Sequence, residues 1–149
     1  MIQLTYPDAA SATFTYNLNL WDEFDSTAEY KPLVTFTSQL TGNSKTFLNS
    51  TTSFTNKDRY IALTLSVVTA SGSENLATGL VFLGSTDFPL GFYDVTIYEN
   101  SSNVNLDPAG LNVVYTGLMN LTSTTGTESV TYNEYTTNDS DTESVYITI

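Results

Sequence analysis

The chain has 149 residues, sixteen acidic against four basic, a formal net charge of −12, and neither histidine nor cysteine. Without those two residue types, disulfides, thiolate chemistry, Ser-His-Asp catalysis in its usual form and histidine-based metal sites are excluded. The acidic balance disfavours nucleic acid and anionic membranes as partners, because both attract lysine and arginine.

Alternation of polar and apolar residues predicts strands along most of the chain. From Thr13 to Leu20 every second residue is apolar, so one face of a strand would be buried and the other hydrated. The predicted strands are Thr13–Leu20, Leu33–Leu40, Lys45–Leu48, Arg59–Val68, Thr78–Leu83, Phe92–Glu99, Asn112–Leu121, Val130–Tyr135 and Ser144–Ile149. Residues 41–44 (Thr-Gly-Asn-Ser) predict a hairpin turn, and Gly117 predicts a β-bulge.

Eight or nine short strands with no helical period predict an all-β fold. We expect one domain over residues 1–149, an antiparallel β-sandwich of immunoglobulin-like or jelly-roll-like form, with a small β-barrel as the alternative. The predicted core comprises Phe14, Tyr16, Leu18, Leu20, Val34, Phe36, Ile61, Leu63, Leu65, Val95, Ile97 and Val114.

Both chain ends carry alternating apolar residues that suit an interface. Ile2, Leu4 and Tyr6 predict a short strand, and small residues follow it, so residues 1–12 are expected to form an N-terminal arm or edge strand. Pairing of this segment with a partner is the favoured interpretation, and its removal would then leave the fold intact. Val145, Ile147 and Ile149 would pair either with a partner or within the chain's own sheet.

Candidate chemistry is sparse, and we expect no enzymatic activity, no cofactor and no metal. The carboxylates available for a glycosidase-like pair are Asp22, Glu23 and Asp25, or Asp94 and Glu99, but a short-looped sandwich offers little cleft. Residues 138–143 resemble a Ca²⁺ loop in composition but lack its glycine, which favours a plain hairpin tip. Residues 103–107 are likewise expected to form a plain loop rather than a Ca²⁺ site.

Three aromatic residues near an acidic loop admit two interpretations. Trp21, Phe24 and Tyr30 could stack on the sugar rings of a glycan, or they could cap the core. The longest apolar run, residues 79–83, is too short for a membrane-spanning helix, and residues 1–8 do not have the pattern of a signal peptide. We therefore expect no membrane partner.

Four segments between residues 55 and 120 carry a resemblance to a known group. They are Lys57-Asp58-Arg59-Tyr60, residues 91–99 (Gly-Phe-Tyr-Asp-Val-Thr-Ile-Tyr-Glu), Asn105-Leu106-Asp107-Pro108 and Val114-Tyr115-Thr116-Gly117. In this order they resemble small, β-rich structural proteins encoded in the virion-morphogenesis regions of tailed bacteriophages, especially aquatic ones.

The resemblance implies a virion component assembled in the host cytoplasm. The expected function is that of a capsid decoration (cement) protein binding the major capsid protein or another virion protein, as a possible homo-oligomer. The alternatives are a head–tail connector, a tail or fibre component, and a glycan-binding module used in host attachment. No catalytic or ligand residue follows from the resemblance.

Overall fold

The computed structural model describes residues 1–6, 11–18, 32–49, 56–57 and 60–123, with the backbone alone at 11–18, 56–57 and 60–64. These ranges contain nine strands and one 3-10 turn at Ser71–Ser73. The strands are β1 (Ile2–Tyr6), β2 (Ser11–Leu18), β3 (Leu33–Ser38), β4 (Ser44–Leu48), β5 (Asn56–Lys57), β6 (Tyr60–Val68), β7 (Leu80–Phe82), β8 (Gly91–Tyr98) and β9 (Val113–Ser123). The prediction of an all-β fold is confirmed for the described residues, among which no helix is long and apolar enough to cross a membrane.

The first sheet has five strands in the order β1-β9-β8-β3-β4. Three of its pairings are antiparallel, but β1 runs parallel to β9, with Ile2 opposite Met119 and Leu4 opposite Leu121. The prediction of a purely antiparallel arrangement is therefore wrong. The parallel pairing brings buried apolar residues of both strands to the same side of the sheet.

The second sheet is built around β6. Strand β2 pairs antiparallel with β6 along its whole length, while β5 and β7 pair with the two ends of β6. Strand β7 is parallel to β6. No strand pair joins the two sheets within the described ranges, so the alternative of a closed barrel is wrong.

One hydrophobic cluster draws on both sheets. Alternation in β8 points Tyr93, Val95 and Ile97 into it, whereas Leu65, Val67 and Val81 enter from the second sheet. The ring of Phe36 meets those of Phe47 and Tyr93 edge-on, with centroids 4.9 Å and 6.4 Å away.

The side chains that the structure describes support the predicted core. Val34, Phe36, Leu65, Val95 and Ile97 are buried as predicted, and Val114 is half-buried against the cluster. The other predicted core residues lie outside the described side chains, namely Phe14, Tyr16, Leu18, Leu20, Ile61 and Leu63. The strands predicted at 130–135 and 144–149 also lie outside the described residues.

The hairpin turn between β3 and β4 is confirmed, but the bulge is not where the sequence predicts it. Gly42 has φ +75°, and its N–H donates to Ser38 O at 2.8 Å. Gly117 pairs regularly with Val95, whereas the register shifts only between Ile97 and Tyr98, after two further regular pairs. Glycine is needed at position 117 for a different reason, because a Cβ there would collide with the side chain of Tyr115.

Candidate functional site

Among the described residues, one accessible surface is the side of the first sheet that points away from the hydrophobic cluster. We call it the outer face, and its thirteen residues are partly or fully exposed. They are Gln3 and Thr5 on β1; Thr116, Leu118, Asn120 and Thr122 on β9; Phe92, Asp94 and Thr96 on β8; Thr35 and Thr37 on β3; and Ser44 and Thr46 on β4. Leu33 and Leu48 point to the same side but are buried, and together with the half-buried Tyr98, which faces Leu33, they bound the outer face at one end.

A row of four threonines crosses the outer face. In register, Thr46 of β4 faces Thr35 of β3, Thr35 faces Thr96 of β8, and Thr96 faces Thr116 of β9. Neighbouring strands lie about 4.8 Å apart, so the row presents hydroxyl and methyl groups at a regular spacing.

Several polar groups of the outer face bond to one another. The hydroxyls of Thr35 and Thr46 are 2.8 Å apart, as are those of Thr37 and Ser44. Because these groups already have partners, removing water from the outer face costs less than the number of its hydroxyls suggests.

Asp94 is the single charged residue on the outer face. Nε2 of Gln39 donates to its Oδ1 at 2.9 Å. The other acidic side chains that the structure describes lie in loops: Glu74, Asp87, Glu99 and Asp107. Burial of the outer face therefore desolvates one carboxylate in a chain whose net charge is −12.

Apolar side chains gather toward one end of the outer face. Phe92 is 51% exposed and Leu118 is 43% exposed, and they lie diagonally across the β8–β9 pair, because Phe92 faces Asn120 and Asp94 faces Leu118. Met1, 69% exposed, directly precedes Ile2, and the partner of Ile2, Met119, directly follows Leu118. Exposed apolar residues grouped in this way are typical of a protein–protein interface.

The N-terminal residues that the sequence predicts to contact a partner lie instead against the chain's own hydrophobic cluster. Ile2 and Leu4 are buried in the chain's own core, because β1 pairs with β9 in the first sheet. The interpretation of these two side chains as partner contacts is thus corrected. Tyr6 is half-buried and packs against the same cluster, with its ring over Gly84.

The remaining predicted site residues are either separated or outside the described residues. Asp94 and Glu99 are five positions apart along β8 and its end, about 16 Å in an extended chain, too far for a catalytic pair. In the loop before β9, the side-chain oxygens of Asn105 and Asp107 accept bonds from nearby backbone N–H groups. Within the described ranges no three acidic residues come together as a metal site.

The following predicted site residues lie outside the described residues: Trp21, Asp22, Glu23, Phe24, Asp25, Tyr30, residues 138–143, Val145, Ile147 and Ile149.

Sequence reasoning missed the outer face. The alternation of β8 and β9 is enough to predict from the sequence that Phe92, Thr96 and Leu118 face outward. The threonine row cannot be predicted in this way, because it depends on the register of four strands that are distant in sequence.

Comparisons with protein families, with curated proteins and with solved structures find no match to this chain.

Proposed function

We propose that the two sheets face each other as an immunoglobulin-like sandwich of the variable type. Strands β9, β8, β3 and β4 follow the order G-F-C-C′ of such domains, and β2, β6 and β5 follow the order B-E-D. The hydroxyl of Tyr93, in the strand equivalent to F, donates to the backbone oxygen of Pro89 four residues upstream, as in a tyrosine corner. The hydrophobic cluster shared by both sheets supports this arrangement.

We further propose that the chain is a non-enzymatic structural protein of a tailed-phage virion, acting as a capsid decoration protein. The observation that carries this proposal is the outer face, an ordered sheet surface with exposed apolar groups, internally bonded hydroxyls and one carboxylate. Such a surface can be buried against another protein at low desolvation cost. The resemblance of residues 55–120 to virion proteins supplies the biological setting.

Immunogold labelling of particles tests the proposed function. Antibodies raised against the purified chain would be applied to particles from a culture in which the natural gene is expressed, with antigen-depleted serum as the control. We expect dense label over the head, and quantitative mass spectrometry giving copy numbers comparable with the major capsid protein.

Each other pattern of label excludes part of the proposal. Label confined to the tail or to one vertex would replace decoration by the connector or fibre alternatives. Particles that carry none of the chain would overturn the virion function, and selective binding of the purified chain on a glycan array would then favour an attachment module.

A further inference from the structure

We propose that the peptide bond between Asp107 and Pro108 is a self-cleavage site, at which the folded loop between β8 and β9 promotes scission of its own chain. Of the four prolines in the sequence, Pro108 alone follows an aspartate. Asp107 is exposed in this loop, so water has access to the reacting groups. The inference goes beyond the virion function and does not depend on it, because it concerns the covalent chain alone.

The sequence supplies both reacting groups. The carboxyl group of an aspartate can attack the main-chain carbonyl carbon of the same residue, because the attack closes a five-membered ring and is intramolecular. Proline has no backbone N–H, and its nitrogen leaves as a secondary amine, which accepts a proton more readily than the nitrogen of an ordinary peptide bond. An aspartate followed by a proline is therefore a chemically weak point of a chain in mild acid.

The structure adds a hydrogen-bond donor at the carbonyl that is attacked. Nδ2 of Asn105 donates to Asp107 O at 3.0 Å. Oδ1 of the same side chain accepts the N–H of Asp107 at 2.9 Å, and the backbone N–H of Asn105 donates to Oγ of Ser102 at 3.1 Å. Two further bonds thus hold Asn105, and its amide is directed at the oxygen on which negative charge develops during the attack.

The carboxyl group of Asp107 is also held in position. Its Oδ1 accepts the N–H of Ala109 at 3.0 Å, which draws the carboxyl group toward the C-terminal side of Asp107, where the bond to Pro108 lies. A second turn follows, in which the N–H of Leu111 donates to Pro108 O at 3.2 Å and Gly110 has φ +77°. Because these turns restrict the reacting groups before the reaction, ring closure costs less entropy in the folded loop than in an unfolded chain.

The step balances with water as the single co-reactant. In the acid form of Asp107, Oδ2 bonds to the main-chain carbonyl carbon, the carboxyl proton passes to the nitrogen of Pro108, and the C–N bond breaks. The products are a cyclic anhydride at Asp107 and a free secondary amine at Pro108. One water then opens the anhydride, so Asp107 ends with two carboxyl groups and the fragments are residues 1–107 and 108–149.

Scission at this bond leaves the strand pairings intact. Strand β9 begins at Val113, after the cleaved bond, and pairs with β8 on one side and with β1 on the other. Met119 and Leu121 of β9 are buried in the hydrophobic cluster. We therefore expect the two fragments to stay associated as one nicked domain, with two new chain ends in the loop between β8 and β9.

Intact-mass spectrometry of the purified full chain tests the inference. Samples are incubated in mild acid, folded by circular dichroism, and in parallel in urea at the same pH. We expect fragments 1–107 and 108–149, whose masses add up to the chain plus one water, to form about tenfold faster in the folded chain than in urea. Size-exclusion chromatography without urea should show the fragments eluting together. A rate in urea that equals or exceeds the folded rate, cleavage at another bond, or fragments that separate without urea would overturn the inference.

Matched variants assign the roles of the two side chains. Asp107→Glu keeps a carboxyl group but needs a larger ring, and it should slow cleavage about tenfold or more. Asn105→Ala removes the donor and should slow cleavage of the folded chain about threefold to tenfold, because the site is open to water, with no effect in urea. Asn103→Ala is the control, since Asn103 is exposed in the same loop and the structure shows no bond between it and Asp107. With circular dichroism unchanged, equal rates for Asn105→Ala and Asn103→Ala, or undiminished cleavage in Asp107→Glu, would contradict the inference.

Discussion

Nζ of Lys45 lies 2.6 Å from Oε2 of Glu74, and this ion pair joins β4 of the first sheet to the segment that leads into β7 of the second. The same carboxylate oxygen accepts the N–H of Phe82 at 2.8 Å, and Nζ also donates to Phe82 O at 2.8 Å. The ring centroid of Phe88 is 4.3 Å from Nζ. A cation in a strongly acidic chain is thus used to hold the two sheets together.

We expect Lys45→Met to lower the free energy of unfolding by about 1–3 kcal/mol, because Glu74 loses its cation while 24% exposed. Methionine keeps apolar contact with the ring of Phe88, so the loss reports mainly on charge. Urea denaturation measures it. Combining Lys45→Met with Glu74→Gln should cost less than the sum of the single changes, and strict additivity would show that the two residues are not coupled.

Tyr6 and Gly84 give a second test of how the N-terminal strand is held. Gly84 has φ +81°, and a Cβ there would enter the ring of Tyr6. Gly42 is a matched control with φ +75° and open space around it. We expect Gly42→Ala to cost about 1–2 kcal/mol from backbone strain alone, and Gly84→Ala to cost more.

The second part of that test removes the ring. In a Tyr6→Ala background, Gly84→Ala should cost no more than Gly42→Ala, as measured by chemical denaturation. A cost that stays higher without the ring would mean that Tyr6 is not what restricts Gly84.

Leu4 and Thr5 are neighbours on β1 with opposite environments, fully buried and exposed respectively. We expect Leu4→Ala to lower the free energy of unfolding by about 2–5 kcal/mol, and Thr5→Ala to change it by about 0.5 kcal/mol or less. Deletion of residues 1–6 should therefore destabilise the monomer severely, contrary to the expectation from sequence. A truncated chain with an unchanged melting temperature would restore the interpretation of residues 1–12 as an N-terminal arm that pairs with a partner.

Local pattern was sufficient for most of the strands that the structure describes and for the predicted core residues whose side chains it describes, but not for the pairings. Alternation alone places Val95 and Ile97 inside and Asp94 outside, because side chains of a strand alternate strictly between its two faces. The parallel pairing of Ile2 with Met119 joins residues more than a hundred positions apart, and no local signal encodes it.

The same limit applies to the outer face. Thr35, Thr46, Thr96 and Thr116 look like ordinary strand threonines until the register places them in one row. The burial of Leu4 likewise depends on β9 lying beside it. The sequence therefore predicts which residues face outward, but the surface they form together is a property of the assembled sheet.

Burial raises the pKa of Tyr93 from 10.0 to about 12, and this makes the stability of the chain depend on pH at the alkaline end. Below pH 10 the phenol is protonated in both the folded and the unfolded state, so its contribution is fully present. Between pH 10 and 12 the unfolded chain ionises at this residue while the folded chain does not, and the free energy of unfolding falls.

Tyr93→Phe isolates this effect from the titration of the other tyrosines, which both proteins share. At neutral pH we expect the variant to be less stable by about 0.5–1.5 kcal/mol, because the bond from the hydroxyl to Pro89 O is lost. As the pH rises through 10 the natural chain loses the additional stability and the two denaturation midpoints should converge or cross. A difference in stability that stays constant from about pH 8 to about pH 11.5 would mean that the Tyr93 hydroxyl ionises equally in the folded and unfolded chains.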